Sequence, residues 1–321
     1  MPLYTQIKQN PYASILVVIV VFILNSSFSY AQESQIESKQ TQSNSETKKA
    51  NPAESLTTGS KLETMFTEPV NRLEQHHQDI KYYHATAEIH PLLVGTKEYI
   101  TLIKKQTGIR NKGVMILLPD WQQGANSPKA VNYLRHKLPA LGWNTIAIQP
   151  DNQPSNYPSK ALTLDERTKN NERIINIYKN KLSALLNAVM NAAKQFPGEI
   201  VVIAQGNNAA MLVELYEKEN TEQPDALVML SSFRKNSPHL TNEINEQFAH
   251  QIAQSDLPIL DLYLRYDNAI VLAKAKQRKS FAEQAKKTYF RQRQINNTAT
   301  GYYPNKELVK QITGWLKIIG Q

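Results

Sequence analysis

The segment between positions 201 and 210, VVIAQGNNAA, constrains the fold more than any other part of this sequence. Its first four residues are apolar, which is typical of a strand buried on both faces of a sheet. Gly206 follows almost at once, and the small and polar residues after it favour the start of a helix. Glycine adopts the positive φ of a sharp turn with little cost. We therefore expect a strand, a one-residue turn and a helix in succession.

Further apolar runs and helical repeats surround this segment. Buried strands are predicted at 113–118, 143–148, 199–204, 226–230, 257–264 and 289–295, and helices at 128–141, 171–196, 207–216 and 305–319. Between Ile80 and Ile103 the pattern alternates, which predicts two half-buried strands joined at Gly95, and a polar loop is expected up to Thr168. This order predicts an α/β fold with a doubly wound, mostly parallel sheet and antiparallel strands at its N-terminal edge.

The first 31 residues have the pattern of a secretory signal. Lys8 is followed by an apolar run at 13–24, and Ser29 and Ala31 are the small residues expected before a cleavage site. The alternative is an uncleaved membrane anchor, but a helix that crosses a bilayer needs ~20 apolar residues. The sequence predicts cleavage after Ala31, a periplasmic or secreted protein, and no stable membrane span in the mature chain.

Residues 32–60 are rich in Gln, Ser, Lys, Glu and Asn, and their large apolar residues are Ile36 and Leu56. Such a composition buries too little surface to offset the entropy lost on ordering, so a disordered polar linker is expected. Residues 61–321 then form one α/β domain. The chain has no cysteine, which excludes disulfides, a cysteine nucleophile and an acylated N-terminal cysteine, and which suits a bacterial periplasm.

The formal net charge of the chain is +9, and removal of the signal takes away only the charge of Lys8. A basic balance is compatible with anionic glycans, lipid head groups or nucleic acid as partners. The alternative is an ordinary solvated surface, because the Lys and Arg residues are scattered. No aromatic-interleaved RNA motif or zinc-finger spacing occurs, so nucleic acid is not expected. The sequence predicts no cofactor and indicates no oligomeric state.

Seven segments together give the chain a resemblance to a known fold family. They are GVMILLPDWQQGA, LPALGWNTIAIQP, IVVIAQGNNAA, DALVMLSS, LPILDLY, YFRQRQI and the GWL at Trp315. In this order and spacing the chain, from about Ile80 to its end, resembles the α/β-hydrolases. It is similar, more narrowly, to an uncharacterised domain-of-unknown-function family of bacterial α/β-hydrolase-like secreted proteins. The resemblance implies the fold and no particular activity.

The resemblance also identifies the positions where a catalytic triad would stand. The strand–turn–helix at 201–210 corresponds to a nucleophile elbow, and its nucleophile position is Gly206. The acid position after the strand 257–264 carries Asp267, which is either an orphaned triad acid or a loop carboxylate paired with Arg265 or a lysine. The base should lie in the loop 295–305, but all seven histidines occur earlier in the chain. Ser231 and Ser232 are expected to be turn residues, too far along the sheet to replace an elbow serine.

A binding site is possible without this chemistry, because backbone N–H groups at the start of a helix attract anions and polar groups. A pocket for a polar or sugar-like ligand is predicted from the residues around the elbow, namely Asp120, Trp121, Gln205, Gly206, Asn207 and Asn208, with Tyr302 and Tyr303 as further candidates. The alternative is that these residues only cap the helix and cover the sheet.

A metal site is not expected from the histidines. His76, His77, His84 and His90 are close in sequence, but His84 and His90 on one predicted strand would be ~20 Å apart.

Three functions remain open. The first is a secreted hydrolase-fold protein that has lost Ser-His-Asp catalysis and binds a small molecule or an envelope component. The second is an envelope ester or lipid hydrolase with a non-standard catalytic set, and the third is a basic module that binds anionic glycans or lipid head groups.

Overall fold

The computed structural model describes residues 71–217 and 221–321. The expected signal at 1–31 and the expected linker at 32–60 lie outside these residues and stay predictions. Among the described residues, the helices are Arg72–Tyr83 (α1), Ala130–Lys137 (α2), Leu164–Ala193 (α3), Gly206–Tyr216 (α4), Pro238–Gln254 (α5), Ala269–Gln284 (α6) and Asn305–Ile318 (α7). The strands are Ile89–Val94 (β1), Lys97–Lys104 (β2), Gly113–Leu118 (β3), Trp143–Ile148 (β4), Glu199–Gln205 (β5), Ala226–Leu230 (β6), Ile259–Leu264 (β7) and Phe290–Ile295 (β8).

The strands form one eight-stranded sheet in the order β1-β2-β4-β3-β5-β6-β7-β8. β1 and β2 are antiparallel, β2 is antiparallel to β4, and the strands from β4 to β8 are parallel to their neighbours. The fold prediction is therefore confirmed, including the antiparallel strands at the N-terminal edge. The turn between β1 and β2 contains Gly95, whose φ is +60°.

Helices cover both faces of the sheet because the central strands alternate between two cores. In β3, Val114, Ile116 and Leu118 face the core shared with α3, α4 and α5. Met115 and Leu117 face the opposite core, which α1, α2 and α7 complete. All six residues of β3 are buried, as a strand at the centre of such a sheet requires.

The structure corrects two of the predicted element boundaries. The first predicted strand was placed from Ile80, but α1 runs to Tyr83 and β1 begins only at Ile89. Ile80 is fully buried as a helix residue, so it belongs to the core without being part of the sheet. The polar loop expected to reach Thr168 ends earlier, because α3 begins at Leu164, where the Thr163 hydroxyl caps it by accepting from the Glu166 N–H.

Besides α1, two further helices, α5 and α6, were not predicted from the sequence. The buried side of α6 consists of Val271, Ala275, Arg278 and Ala282. Their spacing is helical, but two alanines and an arginine do not give the large apolar stripe by which an amphipathic helix is recognised. The buried face of α5 likewise includes a polar residue, Asn245, beside Phe248 and Ile252. In the part of the chain that the structure describes, no helix is both long and apolar enough to cross a membrane.

Candidate functional site

The carboxyl ends of β3 and β5 lie side by side at the centre of the sheet. After β3 the chain passes through α2 to β4 on one side, whereas after β5 it passes through α4 to β6 on the other. The two connections diverge at this point and leave a crevice, which is where open α/β sheets usually bind ligands. Asp120 follows β3 and Gly206 follows β5, so both predicted site residues stand at this crevice.

Gly206 has the backbone conformation of an elbow nucleophile, but there is no room at this position for the side chain that a nucleophile would have. Its φ is +56°, in the region where a residue with a Cβ is strained. A Cβ built on Gly206 would lie 2.5 Å from Cγ of Asp120 and within 2.8 Å of both carboxylate oxygens. The Asp120 carboxyl group therefore occupies the space that an elbow side chain would enter.

Asp120 is held in this place by the backbone of the elbow. Its Oδ1 accepts a hydrogen bond of 2.9 Å from the N–H of Asn207, the residue directly after the turn. Burial raises the pKa of Asp120 to about 6, against the opposing effect of N–H groups of Asn207, Trp121 and Asn208. The N–H groups at the start of α4, which would stabilise an oxyanion in a hydrolase, are thus bonded to a carboxyl group of the chain itself.

A second group of polar side chains lies at the carboxyl ends of β6 and β7. The Ser231 hydroxyl donates to Oδ2 of Asp267 at 2.6 Å and lies 2.7 Å from the hydroxyl of Tyr303. Tyr303 in turn donates to the carbonyl of Leu262 at 2.9 Å. Ser231 has a φ of +51°, one of two positive values at non-glycine residues in the described part of the chain. The turn role expected for Ser231 fits this backbone, but its side chain also joins three segments.

Asp267 lies in the turn between β7 and α6, and its hydrogen-bond partners are not the cations that were considered for it. Its Oδ2 accepts from the N–H of Leu264 at 2.8 Å, and its Oδ1 accepts from the N–H of Asn268 at 2.7 Å. Arg265, one of the cations considered as its partner, lies instead over the ring of Tyr266 at 5.6 Å. Asp267 therefore fixes the turn between β7 and α6 and orients Ser231.

Gly206 and the Ser231 group share one cavity of about 270 Å³. The residues lining it include Asp120, Gln123, Lys129, Gln205, Gly206, Ser231, Phe233, Tyr266, Asp267, Asn268, Tyr302 and Tyr303. Ser231 was expected to be too far along the sheet to act at the elbow. The structure instead places it directly after the neighbouring strand and in the same cavity, because β6 pairs directly with β5. A second cavity of about 490 Å³ adjoins Asp120 and Phe233 and reaches Lys235 and Ile270.

The predicted ligand residues divide into two groups. Gln205, Gly206 and Asp120 line the smaller cavity, as do the two further candidates, Tyr302 and Tyr303. Trp121 and Asn207 line the larger one.

Three of these side chains also have structural partners. Trp121 is 1% exposed, and its ring packs edge-on against Tyr157 and Tyr178. The side chain of Asn208 is fully buried, where it donates to the carbonyl of Pro119 and accepts from the Tyr178 hydroxyl. Asn207 accepts from the N–H of Lys235 at 2.7 Å. For Asn208 the alternative interpretation, that it supports the helix and covers the sheet, describes the side chain better.

The histidines lie away from this cavity among the described residues. His76 and His77 are on α1, and His84 follows that helix, so the strand spacing used to separate His84 from His90 was wrong. His84 Nδ1 lies 3.2 Å from the buried guanidinium of Arg135, and His136 Nε2 lies 3.1 Å from the same group. Within residues 71–217 and 221–321, no group of three or more His, Cys, Asp or Glu side chains is placed to hold one metal ion.

Sequence reasoning did not identify Gln123 or Lys129 as cavity residues, and it assigned Ser231 only a turn role. Gln123 and Lys129 belong to the loop between β3 and α2, which carries no motif that separates a cavity residue from a solvated one. For Ser231 a signal existed: it directly follows a strand adjacent to the elbow strand, and carboxyl ends of neighbouring parallel strands meet at one edge.

Comparison with known proteins agrees with this architecture. A family model described as "protein of unknown function (DUF3530)" matches residues 13–318. No curated protein matches the chain.

Among solved structures, the chain is similar to the dienelactone hydrolase of Anabaena variabilis, with 15% identity, 71% of this chain and 95% of that chain covered, and a TM-score of 0.50. It is similar to esterase 2 of Thermogutta terrifontis phosphorylated by paraoxon, with 12% identity, 74% and 97% covered, and a TM-score of 0.52. TT1662 of Thermus thermophilus gives 13% identity, 71% and 98% covered, and a TM-score of 0.50. At these identities the likeness establishes the α/β-hydrolase fold and nothing about activity.

Proposed function

The chain belongs to the family described as "protein of unknown function (DUF3530)", and on this premise we propose that it is a secreted α/β-hydrolase-fold protein that binds a small polar ligand without Ser-His-Asp catalysis. The ligand site is the cleft between the carboxyl ends of β3, β5, β6 and β7. Binding there uses the crevice of the fold and needs no nucleophile.

The placement of Asp120 is the observation that carries this proposal. An elbow serine needs space for its side chain, free N–H groups for the oxyanion, and a base to take its proton. At Gly206 the side chain is missing, the space is filled by Asp120, and the Asn207 N–H is already bonded. A carboxyl group in this position repels the negative charge that develops in acyl transfer.

A labelling experiment tests the loss of catalysis. The purified chain is treated with a fluorophosphonate and assayed with p-nitrophenyl acetate, beside a serine esterase as a positive control. We expect no adduct in the intact mass and a hydrolysis rate equal to that of the Asp120→Asn variant and of buffer. An adduct, or turnover that a single substitution in the cleft removes, would contradict the proposal.

A ligand screen tests the binding half of the proposal. Amines, carboxylates and saccharides are added separately, and the unfolding temperature and the nuclear magnetic resonance spectrum are recorded. We expect one class to stabilise the protein, since a ligand that binds only the folded state raises its stability. Gln123→Trp, which fills the smaller cavity, should abolish this effect, whereas Gln294→Trp on the exposed side of β8 should not.

The second candidate function, an ester hydrolase with a non-standard catalytic set, is favoured by one observation. Ser231 combines a positive φ with a hydrogen bond of 2.6 Å to Asp267, and positive φ at a non-glycine residue often occurs at functional sites. In this mechanism the Ser231 oxygen attacks the acyl carbon of an ester while its proton passes to the Asp267 carboxylate, which hands it to the alcohol that leaves as the ester C–O bond breaks. Water then attacks the acyl group on Ser231, which releases the acid and restores the serine hydroxyl. The same fluorophosphonate experiment separates the two functions: an adduct on Ser231 that is lost in Ser231→Ala supports the hydrolase.

Secretion is part of the proposal and is supported by the sequence pattern before Ala31. Cleavage after this residue would release a chain that begins at Gln32 and carries its α/β domain behind a polar segment.

A further inference from the structure

Two glutamine side chains in the smaller cavity have amide oxygens without hydrogen-bond partners. Oε1 of Gln205 and Oε1 of Gln123 are both buried and unpaired among the described residues. Gln205 is 8% exposed and is the last residue of β5, directly before the elbow turn. Both glutamines line the cavity that also contains Asp120 and Ser231.

An unpaired buried amide is costly for the folded chain. Leaving one such group without a partner costs about 1–3 kcal/mol, and a protein interior normally pairs these groups. An amide rotated by 180° presents its nitrogen in place of its oxygen, so a partner that suits either orientation must be able both to donate and to accept. Since two of these amides meet in one cavity, the missing partners are best supplied by a ligand with several donors and acceptors.

Aromatic rings form the outer wall of the same cavity. Tyr302 is 46% exposed and Tyr266 is 74% exposed, and Phe233 lies between the two cavities. The Lys129 ammonium lies 4.8 Å from the centre of the Tyr302 ring. Exposed aromatic faces beside buried polar groups suit a ligand that has an apolar face and a hydrophilic edge.

The charges of the lining argue against other classes of ligand. Two carboxyl groups, from Asp120 and Asp267, stand against one ammonium group, from Lys129, so an anion gains little attraction. A long acyl chain would leave the carboxyl and amide groups desolvated and unpaired. Hydroxyl groups can donate to the carboxyl and amide oxygens and also accept from the amide nitrogens.

We propose that this cavity binds a neutral saccharide unit, whose hydroxyls bond to Gln205, Gln123 and Asp120 while its C–H face packs on Tyr302. The inference rests on the proposed binding function and specifies the class of ligand. A volume of about 270 Å³ suits a single ring, and the adjoining cavity of about 490 Å³ gives space for a second ring beyond Phe233.

Saturation-transfer nuclear magnetic resonance on the full chain tests this inference. The probes are methyl glucoside, N-acetylglucosamine and the β-1,4-linked dimer of each, with glycerol as a small polyol that has no ring. We expect saturation of at least one saccharide and none of glycerol. Gln205→Met keeps the size of the side chain and should weaken the affinity about tenfold, because it removes the hydrogen bonds. Gln294→Met, exposed on β8, is the matched control and should leave affinity unchanged.

Thermal unfolding of the same variants distinguishes a ligand residue from a structural one. Without saccharide, Gln205→Met should unfold at the same temperature as the parent protein or at a higher one, because an unpaired group is removed. A lower unfolding temperature would mean that Gln205 supports the fold, and it would overturn its assignment as a ligand residue.

The remaining outcomes separate this inference from the proposed function. If no saccharide probe shows saturation transfer, or if Gln205→Met binds as the parent does, the saccharide assignment is overturned. Stabilisation by an amine or a carboxylate in the ligand screen would then leave the binding function standing with another ligand. A fluorophosphonate adduct would overturn the binding function itself, whatever the saccharide result.

Discussion

At position 206 the backbone keeps the positive φ of a nucleophile elbow, while the carboxyl group of Asp120 fills the adjacent space. The two residues follow different strands, Asp120 after β3 and Gly206 after β5. The N–H of Asn207 bonds to the carboxyl group of Asp120, 87 residues earlier in the chain. Gly206 and Asp120 therefore depend on each other: the carboxyl group fits only because glycine has no Cβ.

Replacing Gly206 by alanine should destabilise the protein and displace Asp120. The positive φ alone costs a residue with a Cβ about 1–3 kcal/mol, and the contact of 2.5 Å with Asp120 adds to it. Urea unfolding of Gly206→Ala, Asp120→Ala and the double variant measures the coupling. We expect the double variant to be more stable than the sum of the single effects predicts, and additive effects would show that the two residues do not compete for space.

Asp120 should also give the protein a pH-dependent stability. Burial raises its pKa from 3.8 to about 6, so the folded state holds this proton more tightly than the unfolded state does. The stabilising contribution is complete below the unfolded pKa and is lost as the pH rises through the folded pKa. Relative to Asp120→Asn, the parent protein should lose about 2 kcal/mol between about pH 4 and pH 7.

Urea unfolding at these two pH values measures the difference between the parent and Asp120→Asn. Asp256→Asn, an exposed position, is the control and should follow the parent curve. An Asp120→Asn variant with the same pH dependence as the parent would show that the carboxyl group titrates normally.

Helix α6 illustrates why some elements escaped the sequence pattern. Its face toward the sheet carries Arg278, which is fully buried and donates to Asp261 of β7 at 2.8 Å. Gln292 of β8 donates to the same carboxylate oxygen at 2.8 Å. An ion pair thus takes the place of apolar packing between two strands and a helix. In the sequence Asp261 is only a polar residue within an apolar strand, because its partner lies in a helix that was not predicted.

Replacing one residue of this ion pair should destabilise the protein far more than replacing both. Asp261→Leu leaves the charge of Arg278 buried, and breaking such a pair costs about 3–5 kcal/mol. The double variant Asp261→Leu, Arg278→Met should recover most of this loss in the free energy of unfolding. The exposed pair of Lys279 and Glu283 is the control, where Glu283→Gln should change stability by less than about 0.5 kcal/mol. A small effect of Asp261→Leu would contradict the account of α6.

At the scale of the whole molecule, the fold was the property that the sequence predicted most completely. The continuous apolar runs of β3, β5 and β6 and their spacing were sufficient to predict a doubly wound, mostly parallel sheet, whereas the strand order came from the structure. Two features of the packing obscured the remainder: the last turn of α1, from Ile80, was taken for the start of a strand, and α5 and α6 lack an apolar stripe. Of the candidate site, Gly206, Gln205 and Asp120 were selected from the sequence because the resemblance places them at or beside the elbow. Gln123 and Lys129 were missed because loop residues give no periodic signal.

The proposed secretion leads to a test on the expressed protein. When the full sequence is expressed in a bacterial host, we expect the product in the periplasmic fraction with Gln32 as its first residue. Ala31→Arg should block processing, because the position before the cleavage site requires a small residue. Ala50→Arg, in the expected linker, should leave processing unchanged. A product that retains Met1 in the parent protein would contradict the proposed signal.

The amino-acid order was enough to predict a doubly wound sheet, a turn at Gly206 and a loop after β8 without histidine, because these follow from local patterns and residue identities. Three other features could be found only in the folded structure. They are the filling of the elbow by Asp120, the bonds of Ser231 with Asp267 and Tyr303, and the two unpaired glutamines. Each depends on where segments far apart in the chain are brought together, and the packing of the sheet and its loops sets those distances.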